Sequence, residues 1–380
     1  MAQAYTPGLK VIRRHWHSCR RLLPVTGEVV VAAGDRVEAE EVVARTSLPG
    51  DVSPVNLANA LSISPAEVPD TLLHQVGDEI AAGDPLARNA GLFGWFPKEY
   101  SAPVAGTIEA VSPVTGQVIL RGLPHAVEVK AFLQGRVTEV IPGRGVVIEA
   151  AVTLVQGIFG VGGETYGVLR MAGTAPDTVL TADLIKPDMR GAIIVGGARV
   201  TAEALTAARA HGVAAIVAGG IDDHDLRDFL GFDLGVAVTG SEALGLTVIV
   251  TEGFGNTPMA ERTHRLLAAR AGCAAAVNGA TQIRAGVIRP EIVIPWPDDH
   301  ASETQAPIAE AGHLAIGRQV RMIRDPYFGM LGIIVELPAE AQILGSESRA
   351  RVVVVELAAG ERITVPRANV ELIESDSDMP

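Results

Sequence analysis

Cysteine, aromatic residues and long apolar runs are all scarce in this chain, and each scarcity excludes something. The two cysteines, Cys19 and Cys273, stand far apart. No disulfide framework can be read from them, and a reducing compartment, the cytoplasm, is the expected setting. With 8 Phe, 4 Tyr and 3 Trp, the core is left to Val, Ala, Ile and Leu, a mixture suited to short buried strands and Ala-rich helices. No run approaches the ~20 apolar residues of a spanning helix, and "MAQAYTPGLK" at the start has no signal-like core, so no membrane contact is expected. Positive charge is also short: 31 Lys and Arg against 44 Asp and Glu, net −13. That excludes a surface coated for general nucleic-acid binding, which needs clustered cations. One local exception is "KVIRRHWHSCRR" (10–21), which carries no carboxylate.

The 380 residues are 48% hydrophobic, enough for two or three domains. Residues 1–170 read as β-rich, with turn signals between Val-rich runs. They contain an internal repeat. "GDRVEAEEVVAR" (34–45) matches "GDEIAAGDPLAR" (77–88) at an offset of 43, and "SAPVAGTIEAVSPVTGQVIL" (101–120) follows. The intervening 51–73 reads as a helical insert. In 176–297, apolar strand-like runs alternate with amphipathic helices, the pattern of a mainly parallel sheet covered on both faces. Gly212 and Gly272 are the expected helix C-caps. Residues 298–312 read as a linker, 313–374 return to β structure, and 375–380 form an acidic tail. The expected fold is therefore α/β with additional all-β modules.

Several motifs carry side chains or backbone suited to chemistry. "GIFGVGGETYG" (157–167) has the first two glycines of a dinucleotide fingerprint, Gly160 and Gly162. Its third position is Thr165, and a strand-like run follows instead of a helix, so it reads as a bend, not a phosphate cradle. "HWHSC" puts His15, His17 and Cys19 on one face of a strand, as weak candidate metal ligands lacking a fourth. Arg13, Arg14, Arg20 and Arg21 with Trp16 suggest contact with phosphate or RNA. At the C-terminal ends of the α/β strands lie Gly196, Gly197, Gly219, Gly220, Gly240, Glu252, Gly253, Gly255, Asn278, Gly279 and Thr281. Ligands sit outside such ends in parallel sheets. Arg284 and Arg289 would add positive charge there, so an anionic small molecule is the expected guest. Glu252 is the one carboxylate expected in that crevice and a weak candidate base. No Ser/His/Asp or Cys/His set is compelling: Cys273 precedes a strand, and His211 and His264 sit on helices.

Two stretches resemble known families. G-D-x-[VI]-x-x-G-x-x-L followed by A-P-x-x-G-x-I resembles the biotinyl/lipoyl barrel-sandwich hybrid over about 80 residues. Carriers of that family present a modifiable Lys on a tight turn. Here that position falls near Phe93, and the nearest Lys, Lys98, is displaced, so no covalent cofactor is expected. "GRQVRMIRDPYFGMLGIIVEL" (317–337) and "RVVVVELAAGERITVPRANVELIE" (351–374) resemble a KOW domain, the SH3-like barrel of NusG-type elongation factors and some ribosomal proteins. The likeness rests on Val320, Pro326-Tyr327, Gly332 and the closing "VPRANVELI". No NusG-type domain precedes it, and "PAEAQILGSESRA" lengthens one loop. The resemblance implies contact with RNA or protein through residues such as Arg321, Arg324, Tyr327 and Phe328. The leading expectation is a non-enzymatic scaffold of transcription or translation complexes. The alternative is a ligand-binding or enzymatic α/β domain with regulatory β modules.

Overall fold

The computed structural model describes residues 9–89, 97–231, 244–281, 288–297, 314–322, 326–327, 330–343, 349–357 and 360–374. The chain is strand-rich mixed α/β, with a mixed sheet and a curled antiparallel half-barrel. Among the described residues no helix is long and apolar enough to cross a membrane.

The N-terminal region contains one unit nested inside another. The outer unit is built from β1 (Leu9–Leu22), β2 (Glu28–Val29), β3 (Arg36–Val37) and β4 (Val42–Leu48), then β11 (His125–Lys130), β12 (Gly135–Ile141) and β13 (Gly145–Gln156). The inner unit, β5 (Val52–Asn56) to β10 (Gln117–Gly122), interrupts it between β4 and β11. It holds β6 (Glu79–Ile80), β7 (Pro85–Asn89), β8 (Lys98–Ser101) and β9 (Gly106–Ser112), and the short helices α1 (Leu57–Leu61) and α2 (Val68–Thr71). Of the helical insert expected over 51–73, short helices are present from Leu57 to Thr71, but Val52–Asn56 is a strand. That strand pairs with β10, and Leu57, Leu61 and Val68 plug the inner core.

The 43-residue repeat is a repeated hydrogen-bond pattern. The Gly34 N–H donates to Val137 O (2.7 Å) and Val137 N–H returns to Asp35 O (2.8 Å); Gly77 N–H donates to Ile108 O (2.8 Å) and Ile108 N–H to Asp78 O (3.0 Å). Each Asp carboxylate also accepts the N–H three residues back, at Ala32 and Gln75 (both 2.8 Å). Gly34 and Gly77 have φ of 96° and 100°, a conformation that a Cβ disfavours.

Residues 157–297 form one sheet with the outer unit. β15 (Glu164–Met171), β16 (Ile193–Val195), β18 (Ala215–Ile221) and β19 (Thr247–Phe254) run parallel, with β17 (Arg199–Val200) beside β18 and β14 (Phe159–Val161) antiparallel to β19. β20 (Ala274–Asn278) then runs antiparallel to β15, and β21 (Glu291–Pro295) joins β20 to β13. So the parallel reading fails at 274–278. Near-continuous apolar runs mark burial on both faces but not strand direction. The "GIFGVGGETYG" run is the bend between β14 and β15.

Helices α3 (Ala202–His211) and α4 (Asp223–Leu230) cover one face of the parallel strands, over Ile194, Ile216, Val248 and Val250. Helix α5 (Glu261–Ala268) and the antiparallel wall cover the other, over Ile193, Val195, Val217 and Ile249. Thr201 caps α3, its side chain accepting from Ala204 N–H, and Gly212 ends it at φ 69°. α5 instead stops at Ala269. Gly272 lies beyond it, in the turn before β20.

The C-terminal unit comprises β22 (Gln319–Met322), β23 (Leu331–Glu336), β24 (Ala341–Ile343), β25 (Arg349–Leu357), β26 (Arg362–Pro366) and β27 (Val370–Glu374). Antiparallel pairing runs β27–β22–β23–β25–β26, with β24 beside β25. The expected linker 298–312 and tail 375–380 lie outside the described residues. The unit is attached to the body in two ways. β27 pairs in parallel with the start of β1. β22 is buried on both sides, Val320 and Met322 in its own core and Arg321 toward the body.

Candidate functional site

The strand ends expected to cradle a ligand are filled by the chain itself. Gly196 N–H donates to Val217 O (2.8 Å), Gly197 to Thr178 O (3.2 Å), Gly219 to Gly197 O (3.1 Å), Gly220 to Ala198 O (3.2 Å) and Gly255 to Ile221 O (2.8 Å). None of these five donors is left for an anionic guest. The glycines are there for backbone packing. A Cβ on Gly197 would lie 2.3 Å from Ala175 O, and one on Gly219 2.5 Å from both Thr257 O and Met259 N. Arg199 and Asp222 close the same edge with an ion pair.

Asn278, Gly279 and Thr281 do not belong to that edge. Because β20 is antiparallel, Asn278 pairs with Glu164 at the start of β15, at the opposite end of the parallel strands. There Thr281 Oγ accepts from Gly160 N–H (2.8 Å) and donates to Gly160 O (3.0 Å), and Gly279 N–H donates to Gly163 O (2.8 Å). Gly240 and Arg284 lie outside the described residues.

Glu252 is buried, and both its carboxylate oxygens are engaged by the chain. An extra residue in β19 between Val250 and Gly253 breaks its register with β18, and such a bulge re-aims side chains. Glu252 Oε1 accepts from Ala260 N–H (3.0 Å), just ahead of α5, and Oε2 from Arg321 Nη2 (2.7 Å). Arg321 is 1% exposed, so the residue expected to face RNA or a partner is internal. Burial pulls its guanidinium below the ordinary value while Glu252 opposes that shift. The unperturbed value is so high that the cation persists. Removing either partner would strand a buried charge, a loss of about 3–5 kcal/mol. Tyr327 packs, half-buried, on the C-terminal core; Arg324 and Phe328 lie outside the described residues.

The basic strand β1 divides its side chains between two faces. His15, His17, Cys19 and Arg21 are half-buried, while Arg13, Arg14, Trp16, Ser18 and Arg20 are exposed. Arg21 is consumed internally. Nη1 and Nη2 grip Glu164 at 2.7 and 2.8 Å, and Nε donates to Lys130 O at 2.6 Å. Arg13, Arg14, Trp16 and Arg20 remain outward. Sequence reasoning missed their neighbours. Trp296 Nε1 donates to Arg13 O (3.2 Å), and its ring lies under Arg14 (5.6 Å) and Arg270 (4.2 Å). Cations over an indole face are attracted by its quadrupole. Trp16 is 39% exposed and anchored by Nε1 donating to Glu149 (3.0 Å).

The inward face concentrates perturbed groups. Burial, with His15 and Lys10 adding repulsion, lowers His17 to about 4. Burial raises Cys19 to about 11, which keeps the thiol protonated and unreactive. Glu291, which the sequence did not single out, is raised to about 7 by burial and by Glu164. Among the described residues no group of three or more His, Cys, Asp or Glu could hold a metal ion, so His15, His17 and Cys19 share a face without forming a centre. Compared with known protein families and with curated proteins, the chain matches none.

Proposed function

We propose that the protein is a non-enzymatic binding scaffold that contacts RNA, and through it the transcription or translation machinery, in the cytoplasm. The carrying observation is the outward face of β1, which presents Arg13, Arg14, Trp16 and Arg20 and is bordered by Trp296 under the guanidinium groups of Arg14 and Arg270. Exposed indole and guanidinium groups suit a single strand, the first by base stacking and the second by phosphate pairing. The C-terminal pairing order, closed by β27 on β22, supports an SH3-like KOW barrel. The nested repeats support two barrel-sandwich-like units, the inner one seated where the outer unit's carrier turn would be. The middle region supports an α/β domain of mostly parallel strands. The alternative, an anion-binding or catalytic crevice at those strands, is disfavoured by the filled edge around Gly197 and Gly219.

The test is fluorescence anisotropy with a labelled single-stranded RNA at two salt concentrations. Replacing Arg13, Arg14 and Arg20 together by Ala should weaken binding at least about tenfold and flatten the salt dependence. Wild-type binding equal to that of the triple variant, or no binding at low salt, would refute the reading. Capture of partners before and after nuclease separates RNA-borne contacts from direct protein contacts.

A further inference from the structure

The inner unit joins the rest of the molecule through a waist two chains wide. The β4–β11 ladder ends where Leu48 pairs with His125, and the β5–β10 ladder begins where Val52 pairs with Arg121. Between those pairs run Pro49-Gly50-Asp51 on one chain and Gly122-Leu123-Pro124 on the other. Neither proline has an N–H to carry a ladder across, so the ribbon is interrupted on both strands. A backbone bond from Gly122 N–H to Asp51 O (2.9 Å) spans the gap. A Cβ on Gly50 would lie 2.1 Å from Gly122 O, so the chains cross in backbone contact. Two chains that touch at one point form a pivot, because rotation about it changes few distances.

Little packs over this waist. Pro49, Asp51, Val52, Leu123, Pro124 and His125 are all exposed, Val52 by 50% and Leu123 by 63%. Two units docked flank to flank would cover such apolar side chains. The ion pair at the waist, His125 with Asp51 at 3.9 Å, is exposed on both sides and correspondingly weak. The cores are separate as well. Among the described residues, the inner cluster is drawn from Val55 to Leu120, and the outer cluster takes no residue from 52–122. The ion pairs Arg88–Glu99 and Arg121–Glu109 are internal to the inner unit. The outer unit is held quite differently, since its β13 is paired on one side with β1 and on the other with β21 of the body. Relative motion is the default for domains that share no large apolar interface.

We propose that the inner unit is a pivoting arm: residues 52–122 turn as a rigid body about the crossing of Gly50 and Gly122, while the outer unit stays fixed in the body. Arg121 is the brace across the pivot. Its Nη2 is held inside the arm by Glu109 (2.7 Å), and its Nη1 donates across the waist to Gly50 O (3.2 Å). One hydrogen bond of a partly exposed guanidinium narrows the swing without stopping it.

The test is amide nitrogen relaxation of the deuterated full chain, which reports the tumbling of each unit separately. Amides of 52–122 should give an apparent correlation time roughly a third shorter than those of β1, β13 and β21. Order parameters within the arm should stay near ~0.85, the value of rigid backbone. Arg121→Ala should shorten the correlation time of the arm further and leave that of the body unchanged. Residual dipolar couplings give a second reading on the wild-type chain: the alignment fitted to the arm should be weaker than that fitted to the body. One correlation time and one alignment shared by arm and body would overturn the proposal. So would low order parameters throughout the arm, which would mean local unfolding, or an Arg121→Ala arm that tumbles as the wild-type arm does.

Discussion

The outer and inner N-terminal units share their turns, their pairing and their interlocking Gly-Asp hydrogen bonds, yet they are stabilised differently. The inner unit encloses its own core: among the described residues, the cluster of Ile80, Leu86, Ile108, Val118 and Leu120 draws only on residues of the same unit. The outer unit uses equivalent positions, Val37, Val43, Val137 and Ile148, but shares their cluster with Ala276 of β20 and Val293 of β21, outside the unit. One is a closed module hung on the body, the other a wall of the body. The same local signals can thus serve an autonomous core or a shared one, depending on what reaches the far side of the sheet.

The largest expected effect breaks this comparison at its equivalent glycines. A Cβ on Gly135 would lie 2.5 Å from Glu149 O, and one on Gly106 2.0 Å from Arg121 O. Gly135→Val and Gly106→Val should each cost at least about 3 kcal/mol locally, because the clash is with backbone. Hydrogen exchange should separate them. Gly106→Val should expose only residues 52–122, whereas Gly135→Val should loosen β1, β13 and β21 as well. Matching exchange patterns from the two variants would erase the distinction drawn here.

A middle-sized effect concerns pH and arises where β21 meets the outer unit. Its strand β1 carries His17 among Lys10, His15, Cys19, Arg21, Glu164 and Glu291, while the corresponding β5, Val52–Asn56, has no titratable side chain. Glu291 is raised from 4.5 to about 7, so the stability it confers is full below pH 4.5 and is lost as pH rises through about 7. His17 is lowered from 6.5 to about 4, so its contribution is full above pH 6.5 and is lost as pH falls through about 4. The two slopes oppose each other between those limits. Relative to wild type, Glu291→Gln should gain stability as pH rises from 4.5 to 7, and His17→Gln should gain it as pH falls from 6.5 to 4. Each gain should be roughly 2 kcal/mol at these half-buried sites. Urea melts across that range give the two slopes, and parallel curves for wild type and Glu291→Gln would refute the assignment.

The smallest expected effect sharpens the comparison. The chain enters and leaves the inner unit at one point, where Gly122 N–H donates to Asp51 O (2.9 Å) and Arg121 Nη1 to Gly50 O (3.2 Å). Removing residues 51–122 and joining Gly50 to Leu123 should change the stability of the remainder by no more than about 1 kcal/mol, since loop-closure costs vary slowly. The pH slopes of Glu291 and His17 should survive the excision. A large fall in melting temperature would mean that the inner unit supports the wall after all.

What the sequence determined by itself was local. Gly34-Asp35 and Gly77-Asp78 announced the same turn twice, strand and helix periods marked the middle region, and period-two alternation put His15, His17 and Cys19 on one face of β1. These follow from φ/ψ preferences and side-chain periodicity, which act over a few residues. Tertiary structure decided the rest. The nesting is hidden in the sequence because the first half-motif of the outer unit precedes that of the inner unit by 43 residues, while the second, Gly135 against Gly106 and Pro142 against Pro113, follows it. The antiparallel course of β20, the bulge that turns Glu252 onto Arg321, and the meeting of Arg14 and Arg270 over Trp296 all join residues distant in sequence. Pairing across such separations is selected by which faces can be buried together, and no short stretch of residues records it.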